Sequence, residues 1–365
     1  LYVESLFKNK NIKKWEGFLV KRSLAILLTL MLVVGLFAGC TPKQEPAAET
    51  GSAPAESKPV EKRVMRIGIG LNEDHPQFKG LEKFKEELNN RVDTIDVQLF
   101  ANSALGDDRA MMEGLQLGTQ EGTCPSTAPI GNFVEEFKVF DFPYLFPNEA
   151  AADKILDGEI GQELLDSLSA KGIKGLVYWE NGFRQLTNRQ VEVKTPEDMK
   201  GLKVRTMENP IHLAAFRAFG ANPTPMAFGE LFTALQQKTV DGQENPIATI
   251  YYNKFYEVQG YTTLTNHLYS PFVFMISQKF WDESTPEEQE AIMEAAKIAR
   301  DHERQLNREA NETLSKELEA NGMKVVELTP EALQAFQTKA QAIYGEFAQG
   351  KIAEYLDRVQ KELAK

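Results

Sequence analysis

Four short pieces between residues 181 and 246 decide how this chain is read: Asn181-Gly182-Phe183-Arg184-Gln185, Met199-Lys200-Gly201-Leu202-Lys203-Val204-Arg205-Thr206, Pro223-Thr224-Pro225-Met226-Ala227-Phe228 and Val240-Asp241-Gly242-Gln243-Glu244-Asn245-Pro246. Each is an apolar or β-branched run that stops at a Gly, Pro or Asn turn and leaves one polar side chain at its mouth. In two of them that side chain is an arginine. A guanidinium is a planar fork of donors that pairs with a carboxylate and stays charged at any relevant pH, so Arg184 and Arg205 are the anion-binding candidates. Arg205 closes the alternation of Leu202 and Val204. Asn209-Pro210 follows, where Asn caps a helix and Pro fits its first position.

The 365 residues carry a formal net charge of -12. That is enough chain for two domains, and the wrong sign for nucleic acid or an anionic membrane surface as a partner. The N-terminal region differs in kind. Lys21-Arg22 precede an apolar run over residues 24–37, and Ala38-Gly39-Cys40 follows. This is the basic region, apolar region and small-residue cleavage site of an export signal. The run is shorter than the ~20 apolar residues of a membrane span. Residues 1–19 lack an initiator Met and the charge layout of a signal, so the start is expected near Val20. A cysteine just after the cut resembles the lipobox of bacterial lipoproteins, which implies that Cys40 is lipidated; Phe37 stands where that box most often has leucine. Residues 41–62 hold Pro, Ala, Glu, Ser and Lys without one aromatic residue and read as a disordered tether. Cys124 is then without a partner, no disulfide framework is possible, and it reads as a packed thiol.

From Val64 onward the periodicity alternates. A strand over residues 64–69 precedes a helix with Phe78, Leu81, Phe84 and Leu88 at helical spacing; a strand with Ile95, Val97 and Leu99 precedes a helix opened by Leu105-Gly106-Asp107-Asp108-Arg109. This β-α-β-α succession predicts an α/β fold with a mostly parallel sheet, whose ligands sit beyond the carboxyl ends of the strands. Ser126, Thr127 and the loop before Asp108 would line one cleft wall. Gly68-Ile69-Gly70 is no dinucleotide fingerprint, because Glu73 occupies the third glycine position and no helix opens before Pro76. Further on, Tyr144 and Trp179 are candidates to stack on a ligand. A comparable α/β unit follows between Gly182 and Ser270. Thr285-Pro286-Glu287-Glu288 is a capping box with no helix breaker before Gly322, so a helix of ~50 Å is expected to span two lobes.

Other chemistries find little footing. None of His75, His212, His267 and His302 has a second histidine or cysteine at ligand spacing, so no metal is expected. No Gly-x-Ser-x-Gly elbow or phosphate-cradling loop occurs. Asp107 with Asp108, and Asp241 with Glu244, are carboxylate pairs a hydrolase could use, although such pairs usually cap helices or face water.

The pieces Gly106-Asp107-Asp108-Arg109-Ala110-Met111, Gly201 to Arg205, Pro223 to Phe228, Asp241 to Pro246, Lys254-Phe255-Tyr256-Glu257-Val258-Gln259 and the one around Arg184 resemble the substrate-binding subunit of tripartite ATP-independent periplasmic (TRAP) transporters. The resemblance runs from about Val64 to the C-terminus. It implies a two-lobed α/β fold of the type II periplasmic-binding-protein kind, hinged around its ligand, with the long helix crossing both lobes. The expected division is a signal region over 1–39, the lipidated cysteine and tether over 40–63, one lobe over 64–181 plus 271–310, and the other over 182–270 plus 311–365. Arg205 would form the carboxylate salt bridge, Arg184 and Asn245 would add hydrogen bonds, and Phe228 would pack against the ligand. Asp108 stands where sialic-acid binders use an aspartate. Ser126, Trp179, Glu244 and His75 complete the set expected at the substrate.

Sialic-acid members carry glutamate in place of Ser126 and asparagine in place of Gly70, which points away from sialic acid. The run Arg205-Thr206-Met207-Glu208-Asn209-Pro210-Ile211-His212 resembles the branch that takes sugar acids such as uronates and ketogulonates, alongside dicarboxylate binders. The implied protein is a monomeric extracytoplasmic lipoprotein, anchored on the outer face of the cytoplasmic membrane, that hands a small organic acid to the small and large TRAP membrane subunits. It would use no cofactor. A secreted α/β enzyme acting on the same acids is the alternative, and a lipoprotein that senses acids for a signalling partner is a third reading.

Overall fold

The computed structural model describes residues 62–365. The signal region, Cys40 and nearly all of the tether lie outside the described residues. Eleven strands form among the described ones: β1 (Arg63–Gly68), β2 (Ile95–Phe100), β3 (Gly122–Thr123), β4 (Ile173–Phe183), β5 (Gln185–Asn188), β6 (Lys203–Thr206), β7 (Asn222–Pro225), β8 (Gly242–Asn245), β9 (Tyr261–Leu264), β10 (Tyr269–Ser277) and β11 (Lys324–Glu327). They sort into two sheets, β2-β1-β3-β10-β4 and β11-β9-β5-β8-β6-β7, one to each lobe.

The first sheet starts as the periodicity predicts. β1 pairs in parallel with β2 and β3, and the helix Pro76–Asn89 makes the crossover between β1 and β2. β10, however, runs antiparallel to both β3 and β4, so the expected mostly parallel sheet holds only for three strands. The cause is the path of the chain. It leaves this lobe along β4 and comes back along β10, and two strands that carry it out and back must oppose each other.

Those strands form the crossing between lobes. Only Arg184 separates β4 from β5, and residues 265–268 separate β9 from β10. β4 pairs with β10 in one sheet and β5 with β9 in the other, so one antiparallel ribbon passes through both. At the crossing the Arg184 amide donates to the Leu268 carbonyl at 2.8 Å. Gly182, two residues earlier, has φ +107°, which only glycine adopts readily; a Cβ there would also stand 3.2 Å from Asn311 Nδ2.

The third link is the helix Pro286–Ala320. Its Thr285 cap and Glu288 form the reciprocal capping box read from the sequence, and its 35 residues reach about 52 Å. Ala291, Ile292, Ala295, Ala296 and Ala299 join the first lobe's core with Phe78, Leu81 and Phe84. Three turns on, Ala310, Leu314 and Leu318 join a separate core with Leu231, Leu235 and Ile250. One helix therefore completes the cores of both lobes. The C-terminal stretch is helical in three pieces, Pro330–Gln341, Tyr344–Phe347 and Gly350–Leu363. Ile352, Leu356 and Val359 of the last belong to the cluster that holds Phe137, Leu164 and Tyr178.

Candidate binding site

A cleft opens between the sheets. Gly70, Asp108 and Ser126 line it from the first lobe, and Arg184, Arg205, Phe228 and Asn245 from the second. Its empty volume is about 690 Å³, mouth included, within the range of sites for small molecules.

Arg205 sits on β6, which is flanked by β8 and β7. Its Nε and Nη2 donate to the Met226 carbonyl at 2.9 and 2.6 Å. Nη1 is buried and has no partner among the described residues. Burial brings the guanidinium's pKa down to about 10, with Glu244 drawing it up and Arg184 pushing it down. It remains a cation at neutral pH, and no carboxylate among the described residues pairs with it.

Arg184 is fully buried. Register explains its partners, since β5 and β8 pair Gln185 with Asn245 and Leu186 with Glu244, directly beside the arginine. The Glu244 carboxylate accepts from Nε and Nη2, and Nη2 also reaches the Glu244 carbonyl at 2.6 Å and Asn245 Oδ1 at 2.9 Å. Nη1 again has no partner among the described residues. Burial alone would raise the Glu244 pKa, but Arg184 and His267 hold it well below the usual carboxylate range. His267 Nε2 lies 3.2 Å from Glu244 Oε2, and Nδ1 lies 2.8 Å from Thr265 Oγ1. Burial holds this imidazole's pKa below its ordinary value, so the neutral ring donates from Nε2.

The first-lobe wall is built around two turns. Asp107 caps the helix Asp108–Leu117 through its side chain, which places Asp108 in the first turn facing the cleft. Burial, with Asp107 beside it, raises the largely covered Asp108 carboxyl to about 6, against the pull of Arg205. Gly70 leaves a slot here: a Cβ would stand 3.7 Å from Phe228 Cδ1 and 3.9 Å from Asp108 Oδ1. Ser126 Oγ faces Met207 Sδ of the other lobe at 3.1 Å.

Trp179, Glu244 and His75, expected at the substrate, lie elsewhere, and Thr127, expected on the cleft wall, is buried with its hydroxyl on Asp141. Trp179 is fully buried in the first lobe's core, 5.2 Å from the ring of Phe274. Both faces of β4 are covered, so its side chains enter core on either side. Glu244 lies behind Arg184 rather than in the cleft. His75 also lies behind the wall: its Nδ1 accepts from the Gln77 amide at 3.1 Å and caps the helix Pro76–Asn89. The proton is therefore on Nε2, which donates to Thr249 Oγ1 at 3.1 Å; Thr249 in turn reaches Asn181 Oδ1 at 3.4 Å. Burial drops the His75 pKa to about 3. Asn181, Met207, Thr249 and Phe272 line the cleft without having been singled out for it. The signal for Asn181 is its place beside the Gly182 turn, three residues before Arg184. Tyr144, the other aromatic candidate, turns away to donate to the Thr265 carbonyl at 3.3 Å.

Two lobes joined by a crossing ribbon, with two buried guanidiniums in the cleft between them, are the build of a solute-binding receptor. The chain belongs to the bacterial extracellular solute-binding protein family 7 (DctP), whose model matches residues 67–351. The solute-binding protein of Verminephrobacter eiseniae is 46% identical over 265 residues, 72% of this chain and 79% of that protein. The sugar acid binding protein of Advenella mimigardefordensis, solved in complex with galactonate, matches with TM-score 0.81 and 43% identity, covering 84% of this chain and 99% of that one. A TRAP periplasmic solute-binding protein of Polaromonas sp. JS666 bound to D-erythronate matches with TM-score 0.79 and 40% identity over 82% and 98%. The protein is an extracytoplasmic solute receptor of the TRAP class, and the enzymatic alternative has no support in this family. Among the described residues no helix is long and apolar enough to cross a membrane.

Proposed function

We propose that the cleft takes a sugar acid, an open-chain polyhydroxy monocarboxylate such as an aldonate, and that the receptor hands it to TRAP membrane subunits. The observation that carries this reading is the pair of buried, unpartnered Nη1 groups on Arg205 and Arg184 in one cleft. A buried donor without an acceptor is costly, and a carboxylate supplies the acceptors. Arg184 is matched in charge by Glu244, whereas Arg205 meets only a carbonyl. One free cation suits one carboxylate better than the two of a C4-dicarboxylate. Ser126, Asn181, Asn245, Thr249 and Asp108 offer partners for hydroxyls, and Phe228 an apolar face. Galactonate and D-erythronate in the two similar structures are acids of this type.

Lobe closure around the crossing at Arg184 and Leu268 would bury the solute. Export and anchoring are part of the same proposal, supported by Lys21-Arg22, the apolar run over 24–37, Ala38-Gly39-Cys40 and the tether after it. The lipid would hold the receptor at the outer face of the cytoplasmic membrane as a monomer. Titration calorimetry with galactonate and succinate tests the solute. A heat of binding for galactonate, with the acid recovered unchanged, is expected; binding of succinate alone would reverse the assignment. Release of Cys40→Ala into the soluble fraction tests the anchor, and a variant that stays with the membrane would contradict it.

A further inference from the structure

We propose that Asp141 is a positioning residue for solute capture, latching the segment that carries Arg205 to the opposite lobe through Asn209 and His212. The inference rests on the receptor reading above and concerns groups outside the cleft. Asp141 ends the 3-10 turn Glu135–Asp141 of the first lobe and is buried. Its Oδ2 accepts from Asn209 Nδ2 at 2.9 Å, and its Oδ1 from His212 Nε2 at 3.1 Å and Thr127 Oγ1 at 3.4 Å. Asn209 and His212 belong to the other lobe. Asn209 caps the helix Pro210–Phe219 by accepting from the Ile211 amide, and His212 lies in the first turn of that helix. Asn209 Nδ2 also reaches the Ala128 carbonyl at 3.3 Å, so one amide binds two points of the first lobe.

All three side chains are more than nine-tenths buried, and none lines the cleft. A carboxylate taken out of water needs a donor for each exposed lone pair, and bonds to a charged acceptor are the strong ones. Of the three donors here, only Thr127 belongs to Asp141's own lobe. Parting the lobes removes the other two together, so this carboxylate favours the joined arrangement. The consequence reaches the solute through the chain itself. Arg205 lies four residues before Asn209 at the end of β6, and tying Asn209 to the first lobe holds that guanidinium against the facing wall. Asn132 Nδ2 reinforces the same segment by donating to the Glu208 carbonyl at 2.8 Å.

Asp141→Asn keeps the shape of the side chain and withdraws its charge and one acceptor; His212→Gln is the milder second variant. In the full chain, galactonate dissociation followed by stopped-flow fluorescence is expected to speed up about tenfold in Asp141→Asn with association nearly unchanged. The double variant should add little to the single one, because both remove the same contact. Spin labels placed through Glu86→Cys and Lys194→Cys, exposed on the two lobes, read lobe separation with no solute added, and longer separations are expected in both variants. That readout judges the latch whatever the solute, while galactonate binding by the parent protein judges the receptor reading alone. A parental distance distribution in both variants would overturn the latch.

Discussion

Glu244 grips Arg184 from behind: its carboxylate accepts from Nε and Nη2, its own carbonyl accepts from Nη2 again at 2.6 Å, and Nη1 is left over. The pair is buried, so its worth depends on both members staying charged and bonded. Glu244→Gln leaves a buried guanidinium without its counter-ion, and the expected loss of stability is about 3 to 5 kcal/mol. Thermal denaturation at pH 7 checks it. A variant that melts with the parent protein would show that water or Asn245 replaces the carboxylate.

Arg205→Lys should come close to abolishing binding. The side chain does two things at once: Nε and Nη2 hold the Met226 carbonyl, and Nη1 stays free for the solute. An ammonium is a single point and cannot keep both directions. Losing one partner of a desolvated pair costs about 2 to 5 kcal/mol, which calorimetry would read as a micromolar affinity turned millimolar or weaker.

His75 sets a pH dependence on the acid side. Its folded pKa is depressed from 6.5 to about 3, so the folded protein refuses a proton that the unfolded chain accepts. Its contribution is complete above the unfolded value and is lost as pH falls from 6.5 towards 3, by about 1.4 kcal/mol for each pH unit. His75→Asn keeps a helix-capping side chain. Denaturant melts between pH 4 and 7 should show a flatter profile in the variant; parallel profiles would contradict this assignment.

Glu303 works in the opposite sense. The carboxyl is fully buried against the Glu180 amide, which donates to Oε2 at 2.9 Å, while Oε1 has no partner among the described residues. Burial, with Glu180 nearby, pushes its pKa well above the carboxylate range. The folded state keeps a proton that the unfolded chain releases, so stability is highest at acid pH and declines as pH rises beyond the ordinary carboxylate value. Glu303→Gln should gain on the parent between pH 5 and pH 8 in the same melts. A constant difference across that interval would count against a neutral Glu303.

Much of this was legible in the residues. The two arginines, Asn245 and Phe228 all lie near strand ends beside turns, and local spacing carries that information. The capping box at Thr285 announced the long helix because a capping box is a local bond pattern. Spacing does not say which face of a strand meets a cleft. Trp179 sits one position from Glu180 and two from Asn181, yet it enters the core, because β4 is covered on both faces. The direction of β10 was hidden for a related reason: strand pairing is set by where the chain returns from the other lobe. Glu244 and His75 are polar and close to the site, but their place one layer behind it depends on the register of β5 with β8 and on a helix cap.

A crystal structure with galactonate bound would show whether Arg205 receives the acid. The acid's carboxylate is expected between the lobes, with an oxygen about 2.7 to 2.9 Å from Arg205 Nη1, Arg184 Nη1 on the same group, and the hydroxyl chain running towards Asp108 and Ser126. A carboxylate turned away from Arg205, or an acid bound outside this cleft, would contradict it.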